Sequence, residues 1–202
     1  MSDFTYEKNN TTQKLETYEW DNNWLEHCED TETPRVLYIG DSISCATRKV
    51  INRLAEKKLL CDGFGTSKAL DNEFFMPSVF LWAKQQPKRR FVLFNNGLHG
   101  WHLSDEEYKN LYESFVITMK KEFSESDIFL LLTTHIADGE RDKAVVRRNQ
   151  AVLEIAKKHE LSVIDLYSIT LENHDLLSPD GVHLLPEGYE LVAREILRNL
   201  TE

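Results

Sequence analysis

Polar residues dominate the first 33 positions, after which short bulky apolar runs alternate with longer amphipathic stretches. Arg35-Val36-Leu37-Tyr38-Ile39 is continuous rather than alternating, as a strand covered on both faces requires. A helical pattern follows, with Val50, Ile51, Leu54 and Leu59 on one side. Leu59–Cys61, Arg90–Phe94, Asp127–Thr133 and Ser162–Leu166 read as four more strands. Between them, Phe74 through Trp82 is an apolar stretch, and residues 142–159 are helical. Ser104-Asp105-Glu106-Glu107 is a capping-box signature, with Leu103 placed to staple against Tyr108, and opens a helix to about Phe123. Pro186 is placed as the first residue of a last helix through Tyr189, Leu191, Val192, Ile196 and Leu197. Five β–α units in series predict an α/β fold of three layers, α/β/α, with a flavodoxin-like five-stranded parallel sheet.

The 202 residues suit one domain, expected over 34–202, with 1–33 as a polar extension. The large anchors of that extension are Tyr6, Tyr18, Trp20 and Trp24. Trp20 and Trp24, at i and i+4, argue that its second half packs on the domain. The formal net charge of −10, with no Lys/Arg block, repels phosphate backbones and anionic lipid heads. Nucleic acid and membrane surfaces are therefore not expected partners, and the patterning names no oligomeric one. No apolar run approaches the ~18 residues needed to span a bilayer. The opening residues lack the basic and apolar regions of a signal peptide. Cys28, Cys45 and Cys61 have neither CxxC nor zinc-finger spacing and read as reduced thiols, which fits the cytoplasm.

In open α/β sheets, ligands bind beyond the carboxyl ends of the strands. Gly40-Asp41-Ser42-Ile43-Ser44 follows the first strand and Gly63-Phe64-Gly65-Thr66-Ser67 the second. Asn95-Asn96-Gly97-Leu98-His99-Gly100 follows the third, and Ser178-Pro179-Asp180-Gly181-Val182-His183 lies beyond the fifth. Singly, these are helix caps and turns. Together they place a serine, glycines, asparagines, an aspartate and a histidine at the one edge where they can meet. Those are the parts of an acyl-transfer site.

At these residues the chain resembles the SGNH/GDSL hydrolases. Gly40-Asp41-Ser42-Ile43 is similar to the block carrying the nucleophile. Asp180-Gly181-Val182-His183-Leu184, with Pro186-Glu187-Gly188-Tyr189, is similar to the DGxH block and the helix after it. The Gly65 region resembles the glycine block, and Asn95-Asn96-Gly97-Leu98 the block that supplies an asparagine. The resemblance spans roughly residues 35–200. It departs at the family's GxND, whose glycine is replaced here by Leu93 or Phe94, depending on which asparagine is aligned.

The resemblance implies a serine esterase needing no cofactor or metal, in which Ser42, His183 and Asp180 are nucleophile, base and orienting carboxylate. It implies an oxyanion hole from the N–H groups of Ser42 and Gly65 and the side-chain amide of Asn95, or of Asn96 if the register is off by one. The expected substrate is a small-molecule or saccharide ester carrying a small acyl group, acetyl by choice, with Trp101 and His102 as a stacking wall for a sugar. The same site suits a lysophospholipase, a thioesterase or an acyltransferase. Other classes fit less well. A phosphate- or flavin-binding module wants a longer, less acidic first loop, and a receiver domain wants an aspartate after strand three. His99-x-x-His102 lacks the HExxH arrangement of a metal hydrolase.

Overall fold

The computed structural model describes residues 14–86 and 88–201, so Tyr6 lies outside the described residues. The elements are β1 (Asp21–Trp24), β2 (Arg35–Gly40), α1 (Ser42–Ala55), β3 (Leu60–Thr66), α2 (Phe75–Ala83) and β4 (Phe91–Phe94). They continue with α3 (Asp105–Glu122), β5 (Asp127–Leu131), α4 (Gly139–His159), β6 (Ser162–Ile164), α5 (Leu166–Glu172) and α6 (Pro186–Thr201). The sheet order is β1-β3-β2-β4-β5-β6. Every pair is parallel except β1–β3. The five parallel strands have the order of flavodoxin-like sheets, whose switch point falls between β2 and β4.

The sheet is covered on both faces, which is why β2 is apolar throughout. Leu37 and Ile39 turn toward α2, α3 and α4 and pack with Phe75, Phe115 and Val152. Val36 and Tyr38 turn toward α1 and α6 and pack with Ile51, Val192 and Ile196. Each such side chain, fully buried, contributes roughly 1.5–3 kcal/mol. The capping box forms as expected: Ser104 Oγ accepts from the Glu107 N–H, and the Glu107 carboxylate accepts from the Ser104 N–H.

Two features differ from the expected five-stranded sheet. The second strand runs from Leu60 to Thr66, so Gly63 and Gly65 are strand residues rather than loop residues. The sheet also has a sixth strand, because β1 lies along β3 with Asn22 opposite Gly65. The DNNW of β1 has no strand pattern of its own; its backbone pairing with β3 supplies the structure. The chain between β1 and β2 is tied down by a buried ion cluster. Asp62 on β3 is fully buried; its Oδ1 is 2.8 Å from an Arg35 nitrogen, its Oδ2 is 3.2 Å from Arg89, and it also accepts the Glu26 N–H. Arg35 further donates to the carbonyls of Glu26, His27 and Asp30. Such charges are tolerated inside only when paired and hydrogen-bonded.

Candidate active site

The nucleophile candidate is placed by a helix start. Asp41 is the N-cap of α1, its side chain accepting the Ile43 N–H at 2.9 Å, so Ser42 takes the first helical position. There its own N–H has no acceptor within the helix, and the positive end of the helix dipole faces the hydroxyl. Burial pushes the Asp41 carboxyl up, against the pull of the His99 ring, the Ile43 and Ser44 amides and His183.

The histidine comes from a loop that closes on itself. Ser178 N–H donates to the His183 carbonyl at 2.7 Å, and Leu177 bridges Leu184, whose side chain is buried in the core. Gly181 makes the reversal at φ +72°, a conformation that side chains rarely adopt. Within this turn Asp180 Oδ1 accepts the Val182 and His183 N–H groups, each at 2.9 Å, and the Ser178 hydroxyl at 2.7 Å. Its Oδ2 stands 2.7 Å from His183 Nδ1, and His183 Nε2 stands 2.8 Å from Ser42 Oγ. These donors, led by the Val182 amide and the His183 ring, hold the Asp180 carboxyl well below the usual carboxylate range. Ser42, His183 and Asp180 thus form one relay. It is open, with the histidine side chain 42% and the aspartate 53% exposed. A cavity of about 690 Å³ lies elsewhere, at the amino-terminal ends of the strands among Pro34, Leu59, Phe91 and Leu197. It contains none of these three residues.

The two asparagines after β4 are both buried but differently occupied. Asn95 Nδ2 donates to the Leu131 carbonyl at 2.8 Å and to Thr133 Oγ1 at 3.0 Å, which uses both of its hydrogens. Asn96 Nδ2 donates to the Lys68 carbonyl at 2.9 Å, which uses one. Gly65 is occupied differently again. Ser67 N–H bonds the Trp20 carbonyl and antiparallel pairs alternate, so Asn22 opposite Gly65 is the next hydrogen-bonded pair. The Gly65 N–H therefore faces β1. What Gly65 supplies is room: a Cβ there would run into Cys45 Sγ on α1.

Trp101 does not present the bare platform expected of a sugar wall. The Arg148 and Arg141 guanidinium groups lie 4.8 and 5.3 Å from the centre of its ring. His102 is turned to Asp71 at 2.7 Å.

Sequence reasoning passed over one residue. Arg148 is 3% exposed and donates to the carbonyls of Gly97, His99 and Gly100 at 2.7–2.9 Å, clamping the loop that carries both asparagines. Its signal was an arginine on the apolar face of α4, in register with Val145 and Val152. His99, of the His99-x-x-His102 pair, has its Nδ1 3.4 Å from Glu16 Oε1. Among the described residues, no group of three or more His, Cys, Asp and Glu is placed to hold a metal ion. No helix among them is long and apolar enough to cross a membrane.

No protein-family model and no curated protein matches the chain. Solved structures do. A lipase/acylhydrolase from Enterococcus faecalis superposes with a TM-score of 0.68 at 18% identity, over 83% of this chain and 95% of its own. A member of the lipolytic G-D-S-L family from Veillonella parvula gives 0.67 at 19% identity, over 84% and 100%. A catalytic mutant of an acetylxylan esterase from Geobacillus stearothermophilus gives 0.66 at 18% identity, over 84% and 94%. At these identities the likeness is one of fold, and the fold of this chain is that of the GDSL-type, or SGNH, hydrolases.

Proposed function

We propose that the chain is a serine ester hydrolase that removes a small acyl group, acetyl by preference, from a polar carrier such as a saccharide. The observation that carries this reading is the relay of Ser42 Oγ, His183 and Asp180, with contacts of 2.8 and 2.7 Å. A neutral His183 accepts the Ser42 proton as Oγ attacks the ester carbonyl. Asp180, ionised and held by three donors, fixes the proton on Nδ1 and stabilises the imidazolium that forms. The oxyanion is met by the Ser42 N–H and by the remaining hydrogen of the Asn96 amide. His183 then returns its proton to the departing alkoxide, and water repeats the sequence to release the acid.

A half-exposed imidazole suits a polar carrier and the entry of water. The acetylxylan esterase of the same fold supports acetyl on a sugar as the first substrate to try. The experiment is hydrolysis of 4-nitrophenyl acetate and acetylated xylo-oligosaccharides by the purified protein and by Ser42→Ala. The variant should fold and lose hydrolysis, and a fluorophosphonate should label Ser42 in the unmutated protein. Retention of more than a few per cent of turnover, or labelling of another serine, would remove Ser42 from the mechanism.

A further inference from the structure

The segment from Lys14 to Trp24 takes no part in the relay, yet it reaches the same edge of the sheet. Asn22 is opposite Gly65, and Gly65 is opposite Gly40 at the end of β2, so this arm runs two strand spacings, about 10 Å, from the nucleophile turn. The approach is closer than that spacing suggests. A Cβ built on Gly65 would stand 3.5 Å from the Asn22 carbonyl and 3.4 Å from the Asp41 carbonyl. One glycine separates the arm from the residue preceding Ser42.

The arm is seated by specific bonds. Trp20 N–H donates to Ser67 Oγ at 2.8 Å, Ser67 N–H donates to the Trp20 carbonyl at 3.1 Å, and Ser67 Oγ donates to Glu19 at 2.8 Å. Asp21 pairs with Lys68 at 2.8 Å. Seated there, the arm presents two side chains to His99. The Trp20 ring meets it edge-on at 6.4 Å, with the planes at 78°. Glu16 Oε1 stands 3.4 Å from His99 Nδ1 and accepts the Gly100 N–H at 3.4 Å. The loop that carries His99 leaves β4 beside the end of β2, where Ile39 is opposite Phe94 and the nucleophile turn begins. The imidazole is thus packed against the arm at the same edge of the sheet as the nucleophile turn, with 16% of its side chain exposed.

The chemistry of Ser42 decides which part of an ester meets this wall. The leaving alcohol must lie beside His183 Nε2, which protonates it, and the oxyanion must lie against its donors. The acyl substituent is left with the side away from His183. The His183 loop rests beyond β5, where the Ala137 N–H donates to the Gly181 carbonyl at 2.8 Å. The opposite side, across Ser42, is β3, the arm and His99.

We propose that the arm forms the end wall of the acyl-group site, Trp20 and Glu16 backing His99 so that the site admits an acyl group about the size of acetyl. This rests on the ester-hydrolase reading and adds the acyl specificity to it. Trp20 and Glu16 act through His99 as positioning residues, so their effect falls on substrate choice rather than on the relay.

The test is the ratio of kcat/KM for 4-nitrophenyl butyrate to that for 4-nitrophenyl acetate, two esters that differ only in acyl length. A buried methylene is worth roughly fourfold, so two can shift the ratio about tenfold or more. Trp20→Ala should raise the ratio by about that factor with the circular-dichroism spectrum unchanged. His99→Ala, which keeps the arm intact, should raise it in the same direction and stands as the second variant should Trp20→Ala fail to fold. A ratio within about threefold of the unmutated value in a folded variant overturns the inference and leaves the ester-hydrolase reading standing. Failure of the unmutated protein to cleave either ester overturns both.

Discussion

Replacing Asp180 by asparagine changes one atom, and the surrounding bonds dictate where that atom goes. Asp180 Oδ1 accepts two backbone N–H groups at 2.9 Å and the Ser178 hydroxyl at 2.7 Å. An asparagine must offer its carbonyl oxygen there, since an amide NH₂ would face donors. Its NH₂ is then aimed at His183 Nδ1, which has to become an acceptor, and the ring proton moves to Nε2. Ser42 Oγ now faces an N–H instead of a lone pair, 2.8 Å away, and cannot give up its proton. The turn keeps its bonds, so the fold survives while the base is lost. The expected fall in kcat is about 10⁴-fold, about 5.4 kcal/mol in the barrier. The assay is hydrolysis of 4-nitrophenyl acetate from pH 6 to 9, with thermal unfolding as the control for the fold. A loss smaller than about tenfold with an unchanged unfolding temperature would show that the carboxylate does not set the tautomer.

Three further outcomes are expected. Asn96→Ala should lower kcat by ~10²–10³-fold at nearly constant KM, the loss of one oxyanion donor, whereas Asn95→Ala should act mainly on the urea midpoint; the reverse pattern would make Asn95 the donor. Arg148→Met orphans three carbonyls at ~1–3 kcal/mol each, partly offset by removing a buried cation, for a net loss of about 2–4 kcal/mol in urea unfolding; no loss would show that the loop holds without its clamp. Asp180, held below the usual carboxylate range, contributes stability that is complete above ~pH 3.9 and is lost as the pH falls through its lowered value, so it stays ionised throughout the working range. The Val182 and His183 amides that it holds should therefore keep their protection from exchange down to about pH 4; loss of that protection well above this pH would show that the turn does not hold the carboxylate.

Much of the α/β frame is legible in the chain, because burial on both faces leaves an unmistakable apolar run in β2 and β4 and an N1 proline marks α6. The relay is legible for a local reason. Asp180 and His183 are three residues apart in one turn, and Ser42 follows directly from a strand end. The true extent of β3 is hidden because Cys61-Asp62-Gly63-Phe64-Gly65 has neither strand alternation nor strand composition. Asp62 is buried there only because Arg35 and Arg89 meet it from elsewhere in the chain, and Gly63 leaves room for the Arg48 side chain. β1 is hidden because Asp21-Asn22-Asn23-Trp24 has no apolar alternation, and what holds it to β3 is backbone pairing with the polar contacts of Asp21 to Thr66 and Lys68. Arg148 is hidden because its partners are carbonyls, which every residue carries.

The ion cluster around Asp62 has a consequence for how the protein breathes. Freeing the chain between Glu26 and Asp30 would strip Arg35 of its carbonyl acceptors and Asp62 of the Glu26 amide while both charges stayed buried. Peeling that chain away is therefore coupled to opening the sheet, and a low-energy local excursion is not available to it. The Glu26 amide reports this directly. Its exchange with deuterated solvent should slow to the rate of the central strands, although it lies near the start of the chain on a segment with no helix or strand of its own, where rapid fraying is the rule.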